Sequence, residues 1–148
     1  LIDTELLKPK PEIGWSPIHF NTNEIEQKYF NCQNKDFYTL HWHGDRILLP
    51  ESSHLLASST KCKEQMFRIG SKAYGLQFHV EVQDMDVQRW IREDVDFIKL
   101  SFGEQAQSIL LEQNIKYCNK SLVNRIYFIR YLFEKVGAGN HSNGSFFS

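Results

Sequence analysis

The 148-residue sequence lacks three features that would each have placed it in a particular class of protein. It has no apolar run near the roughly 18–20 residues of a membrane-spanning helix, so no membrane partner is expected. Its formal net charge is only −1, which gives no electrostatic basis for binding nucleic acid. Its three cysteines are odd in number and far apart, which argues against a disulfide framework and indicates a cytoplasmic protein with reduced thiols.

A fourth absence concerns catalysis. None of the three cysteines, Cys32, Cys62 and Cys118, lies in the glycine-rich turn in which a cysteine nucleophile would be expected. Cys62 stands between two lysines, which could make its thiol more reactive. Because no small-residue strand-turn-helix pattern surrounds it, we do not assign Cys62 as a nucleophile.

The sequence does contain enough apolar residues for one folded domain. Hydrophobic residues make up 41% of it and aromatic residues 14%, which is sufficient for a well-filled core. Period-two patterns and turn residues predict a β-rich region over 12–81, with strands at 13–20, 37–42, 47–50, 55–58, 65–70 and 73–78. Helical spacing then predicts three helices within 84–136, at 84–100, 102–117 and 121–136. The small, polar tail 137–148 is predicted to be disordered.

The most informative pattern is a histidine and a glutamate at the end of an apolar strand, in Gly75-Leu76-Gln77-Phe78-His79-Val80-Glu81. With a period of two, the side chains of His79 and Glu81 leave the strand on the same side. A carboxylate placed there can hold an imidazole in one tautomer while the imidazole moves a proton for a nucleophile. The alternative is an ordinary surface pair, but a strand that opens onto a helix is a common position for catalysis in α/β enzymes.

A second cluster of polar residues is His41-Trp42-His43-Gly44-Asp45. Two histidines at period two could share a metal, with Asp45 or Glu51 as a third ligand. The preferred interpretation has one histidine in the core and the other paired with a carboxylate, because no partner lies at a typical metal-ligand spacing. We therefore expect no metal, and we note that Gly44 would let a backbone N–H approach a ligand closely.

Taken together and in order, these motifs carry a family resemblance that covers residues 1–136. The segments that carry this resemblance are Glu12-Ile13-Gly14-Trp15, His41-Trp42-His43-Gly44-Asp45, Leu49-Pro50, Leu55-Leu56-Ala57-Ser58-Ser59, Cys62, Phe67-Arg68 and Gly75-Leu76-Gln77-Phe78-His79-Val80-Glu81. With them, the sequence resembles the C-terminal half of a class I glutamine amidotransferase domain, and most of all the stand-alone, GMP-synthase-like members.

The resemblance implies a fold and a chemistry. The fold would be the C-terminal half of a flavodoxin-like, three-layer α/β structure. The reaction would be hydrolysis of the side-chain amide of glutamine by a Cys-His-Glu triad, with glutamine as substrate and without a cofactor. His79 would be the histidine and Glu81 its carboxylate, although Val80 stands where the family often has proline. The turn His43-Gly44-Asp45 would help to hold the glutamine. The acceptor of the ammonia is not implied.

The family's nucleophile elbow, Gly-x-Cys-x-Gly, is absent from the 148 residues. In the family it precedes the segment that corresponds to Glu12, and the sequence begins with Leu1 rather than Met. We therefore expect a truncated or split reading frame that is inactive by itself. The alternative is a noncatalytic interaction protein derived from a half-domain, and a third hypothesis is the metal-binding β domain on His41 and His43.

Overall fold

A computed structural model describes residues 11–21 and 37–137. The disordered tail predicted over 137–148 falls, from residue 138 onward, outside the described residues, and so does Cys32. Within the described residues a β-rich part precedes a helical part, so the α/β class and its division near residue 82 are as predicted.

The β-rich part forms one curled sheet. Its strands are β1 (Glu12–Phe20), β2 (Phe37–His43), β3 (Ser53–Ser58), β4 (Met66–Ile69) and β5 (Ala73–Leu76). Their order in the sheet is β2-β1-β3-β4-β5, and all paired strands are antiparallel. The long strand β1 pairs with β2 along most of its length and with β3 at its last two residues, His19 and Phe20.

Two strand predictions need correction. Residues 47–50 lie among the described residues but join no strand of the sheet. Leu48 is 88% exposed, so this apolar run is not buried against the core as a strand would require. The last strand ends at Leu76 rather than at residue 78. Beyond it the chain crosses to the other side of the curled sheet, where His79 forms an isolated bridge with Leu40 of β2. This crossing sets the position of His79.

The helical part consists of α1 (Asp84–Glu93), α2 (Val95–Phe102), a 3₁₀ turn (Gly103–Gln105) and α3 (Ala106–Gly137). The number of α-helices is as predicted, but their limits differ. The first predicted helix breaks at Asp94, whose backbone leaves the helical region (φ −103°, ψ 38°). The second and third are continuous, because Ser121 does not cap a new helix and instead donates its hydroxyl to the Cys118 carbonyl one turn earlier (3.3 Å).

The core consists of two apolar clusters, and α3 contributes to both. One cluster gathers side chains of β1–β4 around Phe128, which is fully buried. The other joins β1 and β2 to α1, α2 and the first half of α3 through residues such as Leu40 and Leu110. The segment 77–82 therefore runs between the sheet and α3. None of the helices in the described part of the chain is both long and apolar enough to cross a membrane.

Candidate active site

The centre of the candidate site is a direct contact between His79 and Glu81. His79 Nδ1 lies 2.8 Å from Glu81 Oε1, which is a hydrogen-bond distance. The second carboxylate oxygen, Oε2, accepts a hydrogen bond from the Val80 backbone N–H at 2.9 Å. Because a carboxylate only accepts, the Nδ1 nitrogen must carry the proton, which leaves Nε2 as the basic nitrogen when the ring is neutral.

The pair is accessible to other molecules. The His79 side chain is 29% exposed and that of Glu81 is 63% exposed. Partial burial by itself would raise the pKa of Glu81, but the hydrogen bonds from His79 and from neighbouring backbone N–H groups outweigh it and hold this pKa below its ordinary 4.5. Glu81 is therefore ionised at neutral pH and favours a protonated Nδ1 on His79.

Trp90 of α1 belongs to the site, although no local sequence pattern places it there. Its ring packs edge-on against the His79 ring, with centroids 5.0 Å apart, and it also contacts Trp42 at 5.7 Å. The Trp42 indole N–H donates to Asp94 Oδ2 at 2.8 Å, where α1 ends. The two tryptophans thus form one side of the site next to His79. This arrangement is a tertiary contact, so the local sequence does not predict it.

The turn His43-Gly44-Asp45 is held next to the segment that leads to His79. The Asp45 carbonyl lies 3.2 Å from His43 Nδ1 and accepts from the Gln77 side-chain amide at 3.1 Å. Gly44 packs closely against Phe97 of α2, since a Cβ added there would come within 3.3 Å of the Phe97 ring. The structure therefore brings together the two motifs that the sequence analysis singled out separately.

A buried polar network connects this turn to β1. Its centre is Glu12, whose Oε2 accepts from Gln65 Nε2 at 2.6 Å and from Ser59 Oγ at 2.9 Å. His43 Nε2 lies 3.4 Å from the same oxygen, and His41 Nδ1 lies 3.6 Å from Oε1. Burial would raise the pKa of Glu12, but the hydrogen bond with His43 and the other polar partners keep it below 4.5.

The same network changes the metal hypothesis. Of the residues that the structure describes, Glu12, His41 and His43 form the group whose ligand atoms lie within 4.8 Å of one another. The third ligand considered from sequence, Asp45 or Glu51, is therefore replaced by Glu12. The Gln65 and Ser59 donors already point at Glu12 Oε2, so a metal held by this oxygen and His43 Nε2 would displace them.

His41 gives the protein a predicted pH dependence of stability. Complete burial lowers the pKa of His41 from 6.5 to about 4, and attraction to Glu12 offsets this only in part. Between these values the unfolded chain binds a proton that the folded chain does not, so stability falls as the pH falls from 6.5 to 4. The loss should be about 3 kcal/mol over that window, at about 1.4 kcal/mol for each pH unit.

Urea denaturation at several pH values between 7 and 4.5 measures this effect. His41→Gln should flatten the slope, whereas His54→Gln, at an exposed position of β3, should leave it unchanged. An unchanged slope in the folded His41→Gln variant would show that another group causes the dependence.

Neither described cysteine has the properties of a nucleophile. Cys62 and Cys118 are both buried free thiols. Burial raises the pKa of each above its ordinary value of 9.0, which disfavours the reactive thiolate. The decision not to assign Cys62 as the nucleophile is therefore consistent with its surroundings.

Known proteins resemble this chain in sequence and in structure. No protein-family model matches it. A Chlamydia pneumoniae protein named as a glutamine-hydrolysing GMP synthase is 32% identical over 75 residues, which are 49% of this chain and 18% of that protein. The crystal structure of a glutamine amidotransferase from Thermotoga maritima has 29% identity and a TM-score of 0.64, over 87% of this chain and 52% of that one. The chain is similar to class I glutamine amidotransferases both in sequence and in structure.

A second solved structure supports the fold of this chain. The glutamine amidotransferase of Methylobacillus flagellatus has a TM-score of 0.68 over 95% of the chain at 17% identity, which is evidence for the fold alone. The chain spans about half the length of these two solved structures. The class I glutamine amidotransferase fold expected from the sequence is thus confirmed for the part that is present.

Proposed function

We propose that this chain supplies the histidine and the glutamate, His79 and Glu81, of a Cys-His-Glu triad that hydrolyses the side-chain amide of glutamine and releases ammonia. The observation that supports this most is the 2.8 Å contact between His79 Nδ1 and Glu81 Oε1 at an accessible position. The nucleophilic cysteine would lie outside these 148 residues, on the Gly-x-Cys-x-Gly elbow.

The proposed reaction follows from the protonation of this pair. His79 Nε2 takes the proton of the cysteine thiol, and the thiolate attacks the amide carbon of glutamine. The resulting imidazolium, stabilised by Glu81, then gives its proton to the leaving ammonia as the C–N bond breaks and a thioester remains. Water hydrolyses the thioester after His79 has taken its proton, which yields glutamate and restores the thiol.

We assign the binding of the glutamine substrate to the turn His43-Gly44-Asp45. The bonds of the Asp45 carbonyl to the His43 and Gln77 side chains hold this turn in one conformation beside the segment that carries His79. Fixed backbone groups at such a position can bind a polar substrate without first paying to become ordered. The Glu12 network behind the turn supports the same arrangement.

The cytoplasm is the proposed location. Cys62 and Cys118 are free thiols, which suits a reducing compartment. The proposed substrate is glutamine, and we propose no nucleic acid, membrane or cofactor as a partner.

Complementation tests the proposal. The chain would be co-purified with the part of the Thermotoga maritima glutamine amidotransferase that it does not cover, and ammonia release from glutamine would be measured. The positive control joins that same part to the corresponding segment of the T. maritima protein. We expect ammonia from both pairs and none from the 148-residue chain alone, since a triad without its nucleophile loses nearly all of its rate.

The rival hypotheses predict other results. A noncatalytic interaction protein would bind the elbow-bearing part but release no ammonia while the positive control is active. A metal-binding domain would retain a stoichiometric metal after purification, measurable by elemental analysis, and would lose it in Glu12→Gln. Either result would contradict the proposed function.

A further inference from the structure

The segment 77–83, which carries the His79–Glu81 pair (the dyad), belongs neither to a strand nor to a helix. The last strand ends at Leu76 and α1 begins at Asp84, so the peptide groups between them cannot satisfy one another in a regular ladder. Buried backbone carbonyls in such a segment need donors from elsewhere. On one side of the segment, Leu40 of β2 satisfies the backbone of His79: the two residues exchange N–H to carbonyl hydrogen bonds at 2.8 and 3.3 Å.

On the other side of the segment, one buried arginine of α3, Arg125, supplies the hydrogen-bond donors. The Nη1 group of Arg125 donates to the Val80 carbonyl at 2.8 Å and to the Val82 carbonyl at 2.7 Å. These two carbonyls flank Glu81 in the sequence. One planar group thus fixes the backbone before and after the residue that orients His79.

The rest of the guanidinium is fixed as firmly. Its Nη2 donates to the Cys118 carbonyl at 2.9 Å and its Nε donates to Ser121 Oγ at 3.0 Å. Its central carbon, Cζ, lies over the Trp15 ring, 5.2 Å from the ring centroid. Only 1% of Arg125 is exposed, so its fork cannot turn to water and is held in one orientation.

We propose that Arg125 is the positioning residue of the dyad: by binding the carbonyls of Val80 and Val82, it sets the direction in which Glu81 meets His79 Nδ1. Arg125 touches neither ring nor carboxylate in this arrangement and acts through the backbone. The arrangement also explains why Ser121 lies inside a continuous helix, since its hydroxyl accepts from Arg125. The catalytic role of the dyad rests on the proposed function, whereas the positioning of Glu81 by Arg125 does not.

Two substitutions of Arg125 distinguish the effect of its hydrogen-bonding geometry from the effects of its charge and size. Arg125→Lys keeps the positive charge but replaces the rigid fork with a flexible point donor, and Arg125→Met removes both. Arg130→Met, at an exposed position of the same helix, is the matched control. Glu81→Ala gives the reference for an imidazole that has lost its carboxylate.

The readout is the tautomer of His79 in the 148-residue chain labelled with ¹⁵N-histidine, with the signal assigned by its loss in His79→Ala. We expect the Nδ1–H form to dominate in the wild type and in Arg130→Met. The ratio of Nδ1–H to Nε2–H should fall about tenfold in Arg125→Lys and Arg125→Met, toward the Glu81→Ala value, since one charge-assisted hydrogen bond is weakened.

An unchanged ratio in folded Arg125 variants would overturn the inference. Loss of cooperative unfolding in both variants would overturn it as well, because Arg125 would then serve the stability of the whole core. A tautomer shift without ammonia release in the complementation assay would leave the positioning role standing and contradict only the proposed function.

Discussion

His79→Ala should abolish ammonia release by the complemented complex. Without the imidazole, nothing takes the proton from the thiol or returns it to the leaving nitrogen, and the triad acts as a unit. We expect the rate to fall roughly 10⁴- to 10⁶-fold, as for other catalytic histidines of nucleophilic triads. The measurement is the initial rate of ammonia formation from saturating glutamine.

Two further variants show whether the loss is specific to the dyad. Glu81→Gln keeps the size of the side chain but removes the charge that stabilises the imidazolium, so its loss should be smaller than that of His79→Ala. His54→Ala, at an exposed position of β3, should retain the wild-type rate. Full activity in a properly folded His79→Ala complex would show that another base serves the reaction.

Glu12→Ala should cause the second large effect, a loss of about 3–5 kcal/mol in the free energy of unfolding. The carboxylate is 3% exposed and is the shared acceptor of the network formed with Ser59, Gln65 and His43. Removing it leaves these buried polar groups unpaired, which costs far more than the contact itself gains. Urea denaturation at pH 7 measures the change.

The matched variants for Glu12 are Glu12→Gln and Glu51→Ala. The glutamine keeps one acceptor oxygen for the network and should lose less stability than the alanine variant. Glu51 is exposed, so its replacement should change the free energy of unfolding by no more than about 0.5 kcal/mol. A loss below about 1 kcal/mol in Glu12→Ala would mean that the network is rearranged without cost and contributes little to stability.

Sequence was sufficient where the determining interactions are local. His79 and Glu81 are two positions apart in the sequence, and the structure places His79 Nδ1 2.8 Å from Glu81 Oε1. The β-rich and helical parts were predictable for the same reason, because apolar periodicity is a property of short windows. The catalytic roles of His79 and Glu81, and the substrate role of the 43–45 turn, stay predictions.

Sequence was insufficient where residues distant along the chain meet. Glu12 and Gln65 are 53 positions apart, and no local pattern indicates that their side chains bond. The same applies to the edge-on contact of the Trp90 ring with the His79 ring. It also applies to Arg125, since its position in a helix does not indicate that its Nη1 lies 2.8 Å from the Val80 carbonyl oxygen. The predicted limit of the first helix failed at Asp94, which also makes a distant contact: its Oδ2 accepts from the indole N–H of Trp42, 52 positions earlier.

The most direct test of the account is to find where the acyl group resides during turnover. The complemented complex would be quenched while it hydrolyses glutamine, and both polypeptides would be examined by mass spectrometry for a γ-glutamyl thioester. The account predicts the adduct on the elbow cysteine of the partner polypeptide and an unmodified 148-residue chain. An adduct on Cys62 that disappears in Cys62→Ser together with ammonia release would contradict it, because this chain would then carry its own nucleophile.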